Sequence, residues 1–394
     1  MKQLKLSTLF VVLLLAFSAC KKVEILSQAH GTLLESKEIK TISKAECVQL
    51  VDSADISQIA TYDVKLIQIN YVTEYQGKNI ETSGMLFVPV GKDTVNFVNY
   101  NHGTVVPLKL LGMDEGTPSL FAGQSSGFGE IKNIGLTWAS AGYTVFMPDY
   151  IGYGKTRKLE HPFVYYPELF KSIYDGDLAV KSYLHQQSAY FDDKIFLTGW
   201  SLGSGASLSA QRYLENEHPS DFHIIASLNL SGPYSFKHFI QSIYDKKDTY
   251  NSKLNIYSWA IYAVNKFSEL KRPNDQYFSY PVFDQASAFN PPQKVPSKIF
   301  NMHFIKAIID GTDVKMNNVL TRNSMISGWV PQAKIYLYHG DADNFVPYFN
   351  SEDCYNGLSA VGADIHLTTY QGKNHYTVFP KYLIDAKNQM DQLK

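Results

Sequence analysis

Gly199-Trp200-Ser201-Leu202-Gly203 follows the apolar run Ile195-Phe196-Leu197 and precedes Ser204-Gly205-Ala206-Ser207-Leu208-Ser209-Ala210. An apolar run, a tight G-x-S-x-G bend and a stretch of small residues read as strand, sharp turn and helix. On such a bend the central residue is forced into a strained backbone conformation, and its side chain stands clear of the sheet. The flanking glycines are required because side chains there would clash across the turn. A serine so exposed can act as a nucleophile. The first N–H groups of the following helix, with their partial positive charge, lie where an oxyanion would form.

The pentapeptide is common by itself, so its meaning depends on a base and an acid elsewhere. Lys334-Ile335-Tyr336-Leu337-Tyr338 reads as a buried strand ending in His339-Gly340-Asp341-Ala342-Asp343-Asn344-Phe345-Val346-Pro347. Ile365-His366-Leu367-Thr368-Thr369-Tyr370 alternates as a further strand and runs into Gln371-Gly372-Lys373-Asn374-His375. A carboxylate past one strand and a histidine past the next meet the needs of a Ser-His-Asp relay. The imidazole takes the serine proton; the carboxylate fixes its tautomer and stabilises the imidazolium. The chain order is serine, acid, histidine, which differs from the chymotrypsin and subtilisin orders.

These features resemble the α/β-hydrolase superfamily. The resemblance rests on G-x-S-x-G at 199–203, H-G-x-x-D-x-x-V-P at 339–347, the late His375 and an early His102-Gly103. Within the superfamily the chain is similar to the secretory lipase and carboxylesterase branch, through Tyr100-Asn101-His102-Gly103-Thr104 and Met147-Pro148-Asp149-Tyr150-Ile151-Gly152-Tyr153-Gly154. The resemblance implies a mostly parallel eight-stranded sheet with flanking helices and an inserted helical cap. It implies Ser201 as nucleophile, His375 as base and Asp343 as acid, with Asp341 as the competing carboxylate that would otherwise cap its turn. It takes one oxyanion donor from the residue after the nucleophile, Leu202, and the other from the loop after the third core strand, Thr104 or Gly103.

Of the eleven histidines, His366 sits inside a strand pattern, while His185, His218 and His223 lie beside helix or loop residues. His102 and His339 belong to H-G turns that bond backbone. Asp149 precedes Ser201 in the chain, out of triad order, and reads as a structural residue of its glycine- and tyrosine-rich turn.

The chain has 394 residues, 45% of them hydrophobic, and a net charge of −1. That excludes a disordered chain, and it carries no basic stripe for nucleic acid and no phosphate-binding loop. No Cys/His pairs stand at zinc spacing, and no metal or organic cofactor is expected. Met1-Lys2-Gln3-Leu4-Lys5, an apolar run over 9–17 and Ser18-Ala19-Cys20 form a leader too short to span a bilayer. It resembles a bacterial lipoprotein signal, with residues 1–19 removed and Cys20 lipidated, which would make the protein exported and membrane-associated; the alternatives are ordinary secretion with cleavage near Ala19 and an uncleaved anchor. Cys47 and Cys354 then remain, as a disulfide or as two buried thiols.

Residues 20–60 read as a polar N-terminal segment with a helix over 44–51. Hairpin strands follow over 62–73 and 79–88, and a third strand over 96–100. The core runs over 61–233 and 331–394. Between 234 and 330 lie too many residues for a loop, with helical patterning over 236–244 and 254–267, read as a cap over the nucleophile. The expected substrate is a small-molecule or lipid ester. The alternatives are a serine peptidase of prolyl-oligopeptidase type and a non-catalytic glycan-binding protein on the same fold.

Overall fold

A computed structural model describes residues 25–106, 116–187 and 189–394. The leader and Cys20 lie outside the described residues. The strands are β1 (Leu33–Ile42), β2 (Val64–Tyr75), β3 (Lys78–Pro89), β4 (Phe97–Asn101), β5 (Thr144–Pro148), β6 (Lys194–Trp200), β7 (His223–Leu230), β8 (Lys334–Gly340) and β9 (Ile365–Tyr370). They form one nine-stranded sheet in the order β1-β2-β3-β5-β4-β6-β7-β8-β9. The three N-terminal strands pair antiparallel, and β5 through β9 run parallel to β4.

The expected strand count of eight is corrected by β1, which lies in the polar segment before residue 61. Its sequence, LLESKEIKTI, is mostly solvent-facing. A charged, bulged outer strand leaves no run of buried apolar residues to read, and it protects the sheet edge from pairing with another chain. The hairpin of β2 and β3 turns through Gln76 and Gly77, at φ 50° and 77°. Two consecutive positive φ values give the mirror-image turn whose twist matches a hairpin.

Helices α1 (Lys44–Leu50), α2 (Gly129–Ser140) and α12 (Phe379–Leu393) cover one face of the sheet, while α3 (Tyr166–Gln186), α4 (Leu202–Glu217) and α11 (Phe349–Ser359) cover the other. Cys47 packs under α1 and Cys354 against the opposite face. Both are buried free thiols in separate hydrophobic clusters. Tyr382, Leu383, Ala386 and Met390 form the buried stripe of α12. Bonds with other elements tie that helix down, among them Trp138 Nε1 to the Leu383 carbonyl at 2.9 Å, Tyr382 OH to the Leu228 carbonyl at 2.8 Å, and Tyr143 OH to Asp391 at 2.6 Å.

Between β7 and β8 the chain forms α5 (Phe236–Asp245), α6 (Leu254–Phe267), α7 (Gln285–Phe289), α8 (Pro296–Ile299), α9 (Met302–Ile309) and α10 (Val314–Asn323). From β4 the chain crosses toward β5 on one side, and from β6 it crosses toward β7 on the other. The carboxyl ends of the neighbouring strands β4 and β6 therefore bound a crevice, the place where open α/β sheets bind ligands.

Candidate active site

Ser201 sits at the end of β6, on the rim of that crevice, at φ 55° and ψ −121°. Its N–H continues the sheet, donating to the Leu230 carbonyl at 2.9 Å. Two glycines make the bend sterically possible. A Cβ on Gly199 would stand 2.3 Å from the Gly203 carbonyl oxygen, and one on Gly203 would stand 1.9 Å from that of Asn101. Neither contact can be relieved by a rotamer change, because both partners are backbone. The G-x-S-x-G pattern is thus a packing requirement between β6, α4 and the end of β4.

Asp343 and His375 arrive on the loops after β8 and β9. His375 Nδ1 and Asp343 Oδ2 are 2.6 Å apart, and both residues are buried. The other carboxylate oxygen accepts the N–H groups of Phe345 at 2.8 Å and Val346 at 2.9 Å. His339 Nε2 lies 3.3 Å from Asp343 Oδ2 and 2.9 Å from the Val346 carbonyl. A carbonyl can only accept, so Nε2 of His339 carries the proton and Nδ1 accepts from the Ser351 hydroxyl at 2.7 Å. Burial would push the Asp343 carboxyl up, but the hydrogen bonds from His339 and His375 outweigh it and hold the group well below the usual carboxylate range. Asp341 is exposed and accepts the Gly372 N–H at 2.6 Å, which places it in the turn and away from His375.

With Nδ1 donating to Asp343, His375 keeps the Nε2 lone pair for a proton. Its ring lies 5.3 Å from that of Trp200, the residue before Ser201, and 5.0 Å from that of Phe345, at interplanar angles of 30° and 28°. These two flanking rings fix the plane of the imidazole. Among the described residues no hydrogen bond joins Ser201 Oγ to His375 Nε2 in this conformation. Contacts of this kind commonly tighten only when substrate is bound.

Thr104, Ser201 and Leu202 line one cavity. Leu202 opens α4, so its N–H has no partner within the helix. The choice left open between Thr104 and Gly103 is narrowed by Glu130, whose Oε1 accepts the Gly103 N–H at 2.7 Å and the Tyr100 hydroxyl at 2.7 Å. The amide of Gly103 is therefore engaged behind the site. Burial pushes the Glu130 carboxyl up to about 7, against the opposing pull of those two hydrogen bonds.

Glu130 was not legible in the sequence, because an acid in the first turn of a helix reads as ordinary dipole complementation. Neither were Trp200 and Phe345 as neighbours of the imidazole. His102 bonds the Gly103 carbonyl through Nδ1 at 2.8 Å, consistent with its reading as a turn histidine. Asp149 accepts the Ser119 N–H at 2.8 Å and the Ser83 hydroxyl, a structural role. Among the described residues no group of three or more His, Cys, Asp or Glu could hold a metal ion, and no helix is long and apolar enough to cross a membrane.

The model of the family described as serine aminopeptidase, S33, matches residues 119–381, two thirds of the chain. The chain belongs to that family. Solved structures agree on the fold of this S33 hydrolase. A Legionella pneumophila protein whose hydrolase assignment is provisional superposes with a TM-score of 0.77 at 20% identity, covering 92% of this chain and 98% of that one. The rice cell wall degrading esterase LipA from Xanthomonas oryzae superposes with a TM-score of 0.72 at 20% identity, covering 93% and 100%. Candida antarctica lipase A in its closed state gives a TM-score of 0.65 at 15% identity, covering 93% and 83%. No curated protein matches by sequence. The S33 chain is thus a hydrolase of the α/β-hydrolase fold.

Proposed function

We propose that this hydrolase cleaves carboxylic esters through Ser201, His375 and Asp343. The observation that carries the reading is the buried 2.6 Å bond from His375 Nδ1 to Asp343, beside the strained turn that holds Ser201. His375 Nε2 takes the proton of Ser201 as Oγ bonds to the ester carbonyl carbon. The N–H groups of Leu202 and Thr104 hold the resulting oxyanion. Loss of one such donor typically costs about 3 kcal/mol of transition-state stabilisation. His375 then gives its proton to the leaving alkoxide as the C–O bond breaks, and water repeats the cycle on the acyl-serine. Asp343 stays ionised throughout and stabilises the imidazolium.

The test is a fluorophosphonate probe with a p-nitrophenyl ester assay. Wild-type protein is expected to label and turn over, and Ser201→Ala to lose both, with kcat down by roughly 10⁴-fold or more. Labelling that persists in Ser201→Ala would move the nucleophile elsewhere. The name of the S33 family favours a second reading, an aminopeptidase, which aminoacyl anilides would reveal as better substrates than esters.

The leader supports a further part of this reading, in which the chain is exported and anchored by a lipid on Cys20. Radiolabelled palmitate is expected to enter the wild-type protein and not Cys20→Ala, which should leave the membrane fraction.

The cap is part of the same proposal. The helices between β7 and β8 would cover Ser201 and exclude water from the acyl-enzyme.

A further inference from the structure

The cavity that Ser201 opens into encloses about 870 Å³ of empty space, its mouth included. Its chemistry is unusually uniform. Among the described residues that line it there is no Asp, Glu, Lys, Arg or His. Thr104, Ser201 and Tyr257 are the lining side chains with polar atoms. The first two sit at the reacting centre, and the Tyr257 hydroxyl is directed at the Phe345 carbonyl, 3.4 Å away.

The far wall comes from the insertion. On α5, Phe236, Phe239, Ile240 and Ile243 recur at the spacing of one helical face and line the cavity. Of the four, only Ile240 is buried. An apolar stripe of this kind ordinarily packs into a core. Here it packs in part on the core and also borders the cavity, together with Ile308 of α9 and Leu320 of α10.

Resting on the ester-hydrolase reading, we infer that this cavity binds the acyl part of the substrate and that the acyl part is an aliphatic chain of medium to long length. The side of the ester follows from the geometry. Leu202 and Thr104, the donors for the carbonyl oxygen, belong to the cavity wall, and His375, which protonates the departing alcohol, does not. The alcohol would then lie on the side of His375, whose ring neighbours Trp200 and the exposed Tyr376. The chemistry follows from the lining. A hydrocarbon chain gains from every methylene it buries there. A hydroxylated acyl group would lose its hydrogen bonds to water without replacement. Among the described lining residues the ammonium of an aminoacyl group finds no carboxylate to pair with, so burying it there is costly. The described lining therefore favours an uncharged acyl group over an aminoacyl one.

The experiment measures kcat/KM for p-nitrophenyl esters from acetate through octanoate to hexadecanoate, each kept monomeric, with leucine p-nitroanilide as the aminoacyl comparison. Wild-type protein is expected to gain about fourfold per added methylene from acetate toward octanoate, and to leave the anilide essentially uncleaved. Ala260→Trp, which puts an indole into the cavity, is expected to lower the octanoate-to-acetate ratio about 30-fold. Should that variant aggregate, wild-type protein decides through alkyl phosphonofluoridates, the P-octyl reagent labelling Ser201 about 10³-fold or more faster than the P-methyl one. A rate that is flat or falls from acetate onward, with Ser201 still labelled, overturns the acyl-chain assignment and leaves the ester reading intact. Faster cleavage of the anilide than of octanoate overturns the assignment as well. Absence of both labelling and turnover overturns the ester reading itself.

Discussion

The two walls of the crevice are built by different physics. The sheet wall, from the ends of β4, β6, β8 and β9, is fixed by backbone contacts and charge-assisted hydrogen bonds. The insertion wall, from α5, α6, α9 and α10, is fixed by hydrocarbon packing. A backbone contact fails over a few tenths of an ångström, whereas an apolar wall can repack at modest cost. In the proposed reaction the reacting atoms are held by the unforgiving wall and the acyl chain faces the adaptable one. That is how one fold can keep its chemistry and change its specificity.

The difference is tested most severely at Gly203. Gly203→Ala places a methyl group 1.9 Å from the Asn101 carbonyl oxygen, so β6 and β4 must separate or the turn must unfold. The expected outcome is protein that is insoluble or melts well below wild type in a thermal scan. A soluble variant with wild-type Tm would show that the turn relaxes more easily than its geometry implies.

Next in size is the acid. Asp343→Asn keeps the shape but removes the charge and presents the wrong hydrogen-bonding group to His375. A fall in kcat of about 10⁴-fold is expected. Asp341→Asn, which changes a turn contact to Gly372, is expected to stay within about threefold. Steady-state kinetics on one ester compares the two. Equal losses would dissolve the distinction between the acid and its neighbour.

These two carboxylates mark the boundary of what the sequence reveals. Both lie in one loop, and only the path of the chain past β9 decides which meets the imidazole. The elbow was readable because its steric demand falls on residues a few positions apart. The central strands were readable because each carries a short apolar run, such as Ile195-Phe196-Leu197 in β6, as buried parallel strands do. Strand β1 was not, since its charged residues face water. Nor was the pairing of Glu130 with Gly103, whose parts stand on a helix and a loop, related only through the sheet. The apolar stripe of α5 was visible as a helix, but nothing in its pattern says that it faces a cavity and not a core.

Glu130 offers a smaller effect with a pH signature. Its carboxyl titrates at about 7 in the folded protein, above the ordinary value of 4.5, because burial disfavours its charge. The folded chain thus binds more protons at this site than the unfolded one between those values. Stability from this group is complete below pH 4.5 and is lost as pH rises through about 7. Glu130→Gln removes the titration, so the fall in Tm between those two pH values should flatten relative to wild type. Weakening the bond to Gly103 should also lower kcat/KM by about tenfold, the scale of a hydrogen bond to a charged group. An unchanged slope would place the titration elsewhere.

The smallest effect belongs to the adaptable wall. Ile256 is half-buried on α6 and lines the cavity with its side chain. Ile256→Val deletes one methylene from a wall that already borders empty space, so little packing is lost. The cost should be at the low end of the usual range, about 0.5 kcal/mol, which is close to the resolution of a denaturant titration. Selectivity should respond more clearly than stability. A methylene removed from the wall is contact removed from the bound chain, and the octanoate-to-acetate ratio should shift by up to about fourfold. The opposite pattern, a large loss of stability with no change in chain-length preference, would mean that α6 holds the fold and that the wall is as rigid as the sheet it faces.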